Sequence, residues 1–466
     1  MNKKIHFSFL ILGIISLKLG LLFGLLAGAQ YMVPAFLKEI IPFSQMRELH
    51  VSMVMSWIIL AATGCVYYFI SIDNKLAFPK LEKAHLIIFG LTGIFILISI
   101  FTNNMGGREY MTYNPLLFFP IIIGWILFAI NYYQTIIEKI VYGPVYLWMW
   151  MTGILFMILT YSEAHLWIFS FFKGDVIKDI TVQWKSYGGI FGSWNMLIYG
   201  TAIYVMSKIK GDDKIAKGKI AFFFYFLGLI NLMFGWGHHT YIIPHKPWIR
   251  ILAYGISMTE WIILGYMILN WRKSLNQKQK INSQAYKWLL STDVWIFLNL
   301  VLALLISIPT INLFTHGTHI TVAHSMGTTI GINSTILIAA IFYVVSKENK
   351  FFLNRYRKRL NIAFWLFHIS FFIFWSSLLY SGYLKVIWDQ MDVTKTSFSE
   401  FFADLKPVIH VLVSGGLFLF ISIVDIMSSL LSPGNPIILL ADILMLVFSN
   451  SLKPLTITSS GIILDN

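Results

Sequence analysis

The sequence predicts an all-α integral membrane protein of twelve transmembrane helices, and three observations carry that expectation. Of the 466 residues, 57% are apolar and only 12% charged, less than half of the roughly 25% charged residues of a soluble domain. Apolar runs of about 20 residues, the helix length that spans a bilayer core, recur evenly, with centres near residues 18, 59, 93, 124, 156, 197, 229, 260, 299, 331, 372 and 415. Lys and Arg alternate between successive loops: 23 of the 35 fall on one side, 11 on the other, and Lys18 lies inside the first span. Basic residues resist translocation, so the richer side is cytoplasmic and both termini lie there. A soluble enzyme is excluded. The net charge of +14 does not indicate a nucleic-acid binder, because the basic residues form short islands between apolar runs rather than one continuous face.

Taken in order, the first span, Phe7 to Pro34, follows Lys3 and Lys4 and reads as a retained helix. It is too long for a signal peptide's apolar core and has no clear small-residue cleavage site. His50 opens the second span. Cys65, the single cysteine, sits within it, which excludes an intrachain disulfide and a thiolate metal site. The third and fourth spans flank a loop carrying Gly107 to Tyr110, and Glu163 ends the fifth. The sixth, near 197, follows Trp184 and Tyr187. His238 and His239 close the seventh after Gly235 and Gly237, and the eighth contains Glu260. Asp293 lies near an end of the ninth, and His316, His319 and His324 open the tenth. The eleventh carries His368 and the twelfth Asp425. Residues 1–430 are thus expected to form one membrane domain, followed by a cytoplasmic or interfacial tail at 431–466, where Ile437 to Phe448 is too short to span.

With this orientation His50, His238, His239, His316, His319 and His324 all lie in the outer third of the membrane. Intramembrane polar residues are functional candidates. His85 and His368 are read instead as helix-to-helix hydrogen-bonding groups, and His245 as a loop residue. Neighbouring imidazoles point about 100° apart on an α-helix, so His238 and His239 reach one ion only near a distorted helix end. Gly235 and Gly237 supply freedom for that distortion. His324 and Met326, two residues apart, face opposite sides of their helix. Each is a known axial ligand type for haem, so a helix between two haems can serve both.

Arg47-Glu-Leu-His50 followed by Trp57, Gly107-Arg-Glu-Tyr110, Gly237-His-His239, and Pro309 to Thr318 leading into Thr321-Val-Ala-His324 occur in the order that resembles the large, cytochrome b subunit of bacterial nitric oxide reductase. That family lies within the haem-copper oxidase superfamily, and the resemblance covers spans two to ten of a subunit I-like bundle. It implies His50 as a ligand of a low-spin haem b and His324 as the proximal ligand of a high-spin haem b. It further implies His238 and His239 as ligands of a facing non-haem iron, or copper, Glu109 as a calcium ligand beside the haem propionates, and Glu260 as a buried acid near the metal. The implied activity is that of a respiratory, denitrification-type oxidoreductase turning two nitric oxide molecules, two electrons and two protons into nitrous oxide and water. The implied location is a bacterial inner membrane.

The chain departs from that pattern at four positions. Aligned on Trp184, Gly192 and Trp194, Tyr187 stands where the family has a metal-ligating His, and Phe191 stands where it has a Glu. Met326 replaces the second haem-ligating His, and His319 is the next candidate for that role. Asn195 replaces a further glutamate. Tyr187 can ligate, deliver a proton or simply fill volume. Two histidines alone are a poor trap for Fe(II), whose open site usually adds a carboxylate. No chain of protonatable groups leads in from the cytoplasmic side, so protons are expected from outside, and Glu260 and Tyr187 are the acids at hand. No Cys-x-x-Cys-His haem attachment sequence is present, so electrons come from a separate cytochrome c subunit or from quinol in the surrounding lipid. Nitric oxide dismutation, oxygen reduction, and a non-catalytic gas-sensing or electron-transfer haem protein are the alternatives.

Overall fold

The computed structural model describes residues 5–430 apart from 242, 245, 257, 258, 282, 349–354 and 391–396. The expected tail at 431–466 and His245 lie outside the described residues. The long helices are α1 (His6–Met32), α2 (Phe43–Asp73), α3 (Pro79–Phe101), α4 (Phe118–Ile136), α5 (Val145–Glu163) and α6 (Val176–Lys210). They continue with α7 (Lys219–Phe234), α8 (Thr259–Ser274), α9 (Gln284–Ile306), α10 (His319–Met326, extended to Glu348), α11 (Arg357–Gln390) and α12 (Phe398–Leu430). Among the described residues the only strand-like pairing is an isolated bridge between Arg108 and Met111. Eleven spans are long and apolar enough to cross a membrane. The segment expected near 197 is α6, 35 residues long, which falls below that apolarity because Gly, Ser, Tyr and Lys interrupt it. The expected count of twelve therefore rests, for one helix, on position in the bundle rather than on composition.

Burial separates centre from rim. In α10, 83% of the apolar window is buried, against 28% in α3 and in α12, so α10 runs through the middle with apolar side chains all round. Helices α1 and α2 pack antiparallel without slip: a Cβ on Gly64 would meet Leu10, one on Gly13 would meet Ala61, one on Gly20 would meet Val54, and one on Gly24 would meet His50. Small residues allow that close approach where lipid gives no hydrophobic drive for association.

The two histidines read as helix-to-helix groups are such. His85 Nδ1 lies 3.3 Å from the Tyr67 hydroxyl, and His368 Nδ1 accepts from Trp295 Nε1 at 3.1 Å.

Candidate functional site

His50 is placed by its neighbours on α1. Its Nδ1 lies 2.7 Å from the Gly20 carbonyl oxygen, so Nδ1 carries the proton and Nε2 keeps its lone pair. That carbonyl contact is the arrangement that fixes the tautomer and orientation of a metal-ligating imidazole. Gly24 makes room for the ring, since a Cβ there would sit 2.5 Å from Nδ1.

Helix α7 ends at Phe234 and continues as a 3-10 turn over Gly235–Thr240, the distorted helix end that the glycines imply. On that turn the His238 and His239 rings come to 4.1 Å between centroids. Trp184 of α6 stacks on His239 at 6.2 Å, and a Cβ on Gly188 would lie 3.6 Å from His239 Cδ2. His238, His239, His316 and His324 share one electrostatic neighbourhood. The Nδ1 atom of His324 is buried without a hydrogen-bond partner, while the His238 ring is set against the Gly235 backbone.

His324 is aimed by its backbone. The α-helical part of α10 stops at Met326, and Gly327–Ser334 forms a π-helix, an irregularity frequent at functional sites. Carbonyls near that junction are taken over by side chains from flanking helices. Trp375 Nε1 donates to Ala323 O at 2.9 Å, and Asn299 Nδ2 donates to His324 O at 3.1 Å. Farther along, Trp57 Nε1 donates to Ser334 Oγ at 3.0 Å. Trp57 is seven residues beyond His50, and Ser334 eight beyond Met326, in helices that run the same way. The two intervals are nearly equal, so His50 and Met326 lie at a similar depth in the bundle.

The Gly107–Tyr110 turn ties three elements together. Arg108 Nη2 bonds both oxygens of Asp179, at 2.6 and 2.8 Å, at the start of α6, and lies 4.9 Å from the Trp167 ring. Glu109 Oε1 accepts from Arg47 Nη2 at 2.6 Å, and Arg47 Nη1 donates to Glu48 at the same distance. Tyr110, held at φ 66°, places its ring 5.7 Å from Tyr187 and 6.0 Å from Phe191. A bulky side chain in the left-handed region is uncommon and costs about 1–3 kcal/mol. Phe191 packs among Tyr110 and Trp194, so at this position volume is filled by an aromatic ring. Tyr187 differs, because its hydroxyl is buried with no partner.

Of the acids inside the spans, Glu163 pairs with Lys185 and Asp425 with Arg359. Glu260 is buried, accepts from Asn231 Nδ2 at 2.6 Å through Oε1, and leaves Oε2 unpartnered. Both oxygens of Asp293 are likewise buried and unpartnered.

The structure thus brings His238, His239 and His324 together and sets His50 level with Met326. It does not bring Glu260 beside Tyr187: the former sits with Asn231 and Tyr199, the latter with Tyr110 and Trp184. Among the described residues no three His, Cys, Asp or Glu side chains form a metal-binding group. Among the described residues the donors near the histidine pair are imidazoles, with His316 beside His239, and no carboxylate joins them. At Glu109 the counter-charge is the Arg47 guanidinium, paired to Oε1. Sequence reasoning missed Asn299, Asn231, the Arg108–Asp179 pair and a buried contact between the Tyr113 and Tyr161 hydroxyls at 3.1 Å. Burial pushes the Tyr113 phenol up to about 12, so it stays protonated.

Residues 4–418 match the family described as Cytochrome C and Quinol oxidase polypeptide I. The chain is 24% identical over 346 residues to the nitric oxide reductase B subunit of Stutzerimonas stutzeri, covering 70% of this chain and 72% of that protein. A heme-copper terminal oxidase dimer, solved by cryo-EM, superposes with a TM-score of 0.70 at 14% identity, over 92% of this chain and 83% of that one. At that identity the likeness speaks for the fold alone. With the match running over nearly the whole membrane domain, the chain belongs to the cytochrome c and quinol oxidase polypeptide I family, the subunit I proteins of the haem-copper oxidases.

Proposed function

We propose that this oxidoreductase is a nitric oxide reductase-type catalytic subunit of a bacterial inner membrane, with both termini in the cytoplasm. In this reading His50 and Met326 hold a low-spin haem b, His324 holds a high-spin haem b, and His238 with His239 face it as ligands of iron or copper. The observation that carries the proposal is the convergence of His238 and His239 on His324, each of the last two positions aimed by distorted helix geometry. The residues fit the haems: His50 has its Nδ1 tied and its Nε2 free, and His324 is fixed through its backbone carbonyl. They fit a second metal only as an all-imidazole set, His238 and His239 with His316 near them. When bound, these groups supply electrons and hold two nitric oxide molecules close enough to couple, and proximity lowers much of the barrier to such a step.

The chain's own part is protonic and positional. Asn231 orients Glu260, whose free Oε2 can hold a proton in a dry site. Tyr187 offers a second O–H, beside Tyr110 and Trp184. Positioned acids of this kind contribute typically about 10²–10⁴-fold. Electrons arrive from a cytochrome c subunit or from quinol.

Haem-loaded protein given nitric oxide anaerobically with an artificial donor is expected to yield nitrous oxide, and His238→Ala to lower the yield at least ~10³-fold, the scale seen when one member of a catalytic unit is lost. Dinitrogen plus oxygen would instead favour dismutation, and binding without product would leave a non-catalytic haem protein. A second expectation follows from the His50 cradle. Gly24→Val should push the imidazole aside and remove most of the low-spin haem signal while sparing the high-spin one; an unchanged low-spin spectrum would sink His50 as ligand.

A further inference from the structure

We infer that Tyr113 and Tyr161 form a proton relay that serves Tyr187 from the charged loop at the histidine-bearing end of the bundle. The inference rests on the proposal above only for the proton's final acceptor. The Tyr113 and Tyr161 hydroxyls are buried and 3.1 Å apart, a contact between two groups that can each donate and accept. Helix packing sets the third phenol level with them. Thr160 of α5 meets Gly189 of α6, where a Cβ would lie 2.6 Å from Thr160 Cγ2, and Gly153 meets the Ser193 carbonyl. At the Thr160–Gly189 contact the helices run antiparallel, so Tyr161 lies near the depth of position 188, one residue from Tyr187. The three phenols also share one electrostatic neighbourhood.

Tyr187 Oη has no hydrogen-bond partner, and a buried polar group left unpaired inside a membrane calls for an explanation. A bridging water supplies one. A cavity of about 240 Å³ reaches Tyr110, Tyr113, Tyr161 and Ile190, and Ile190 is one turn from Tyr187. The lining is mostly apolar, so water there would be held at its phenol side, and Tyr187 adjoins the cavity through the Tyr110 ring, 5.7 Å away.

Charged groups lie near the Tyr113 end. Thr112, next to Tyr113, donates to Glu48 Oε2 at 2.8 Å, and Glu48 shares Arg47 with the half-exposed Glu109. In the step, Tyr187 gives its O–H proton to the oxygen leaving the substrate and regains one from Tyr161 across the water. Tyr161 takes a proton from Tyr113, and Tyr113 is refilled from the Glu48 and Glu109 carboxylates and the solvent beside them. One proton moves inward per cycle, each phenol ends neutral, and no electron is needed from the relay.

The test uses the haem-loaded protein and Tyr113→Phe and Tyr161→Phe, which remove only a hydroxyl and keep the Tyr161 ring's stacking on Phe118. Proton uptake on chemical reduction, without nitric oxide, is followed with a pH dye, alongside reduced-minus-oxidised infrared spectra of protein labelled on its tyrosine rings. Each variant should keep wild-type haem spectra, take up protons about 100-fold more slowly, show a larger slowing in heavy water, and lose a tyrosine C–O band. Wild-type uptake rates and an intact band in both variants would overturn the relay. Slowed uptake in a protein whose wild type makes no nitrous oxide would keep the relay and remove the reaction assignment.

Discussion

His324→Ala is expected to abolish the high-spin haem signal and to cut nitrous oxide formation by about 10³-fold or more, while the low-spin spectrum persists. The expectation is sharp because the imidazole does not hold its own backbone in place. The carbonyls of Ala323 and His324 are tied to Trp375 of α11 and Asn299 of α9, and the π-helix that follows is fixed by hydroxyl contacts such as Thr335 Oγ1 to Gly331 O at 2.6 Å. Removing the ring leaves these intact, so the helix keeps its path and only the ligand is lost. His324 Nδ1 has no protein partner to strand. Optical and electron paramagnetic spectra of the purified variant separate the outcomes: retention of the high-spin signal would place the haem on another residue, and loss of both signals would mean that the two sites fold together.

Much of this was legible in the sequence because it depends on short-range rules. Apolar length and basic-residue bias give the spans, and α6 escaped the apolar criterion because a central helix facing other helices can carry Gly188, Gly189, Ser193 and Tyr187 where a lipid-facing one cannot. Gly235 and Gly237 announced a break in α7, and a 3-10 turn is what forms there. The π-helix after Met326 was not legible, since Gly327 and Gly331 among Thr and Ile residues do not distinguish a π-turn from a plain helix, and the groups that bond the carbonyls before it, Asn299 and Trp375, lie far away in sequence. The same holds for Glu109. Its place in a loop was readable, but its pairing with Arg47 depends on how the tight turn at Gly107 meets the start of α2, a three-dimensional fact. The Tyr113–Tyr161 contact joins a loop to a helix 48 residues on, and no spacing rule predicts it.

Met326→Leu is expected to erase the near-infrared charge-transfer band of a His–Met haem and to convert the low-spin signal to high-spin. Methionine and leucine are close in volume, and such swaps usually cost less than about 1.5 kcal/mol, so the change tests the sulfur and little else. The rival ligand is His319, which lies seven residues earlier and hence on nearly the same face of α10, a separation of two turns or about 10.5 Å. Depth decides between them. His50 is level with Met326 through the Trp57–Ser334 contact, whereas His319 sits two turns nearer the membrane surface with its Nδ1 held 2.8 Å from Ser381 Oγ on α11. A flat haem cannot bridge ligands offset by two helical turns. Methionine in place of imidazole also raises the potential of the haem it binds, which eases electron entry from a donor and leaves less driving force for the onward step to the His324 haem. A redox titration of the wild type should therefore show the low-spin haem above a bis-histidine reference, and a bis-histidine spectrum persisting in Met326→Leu would transfer the assignment to His319.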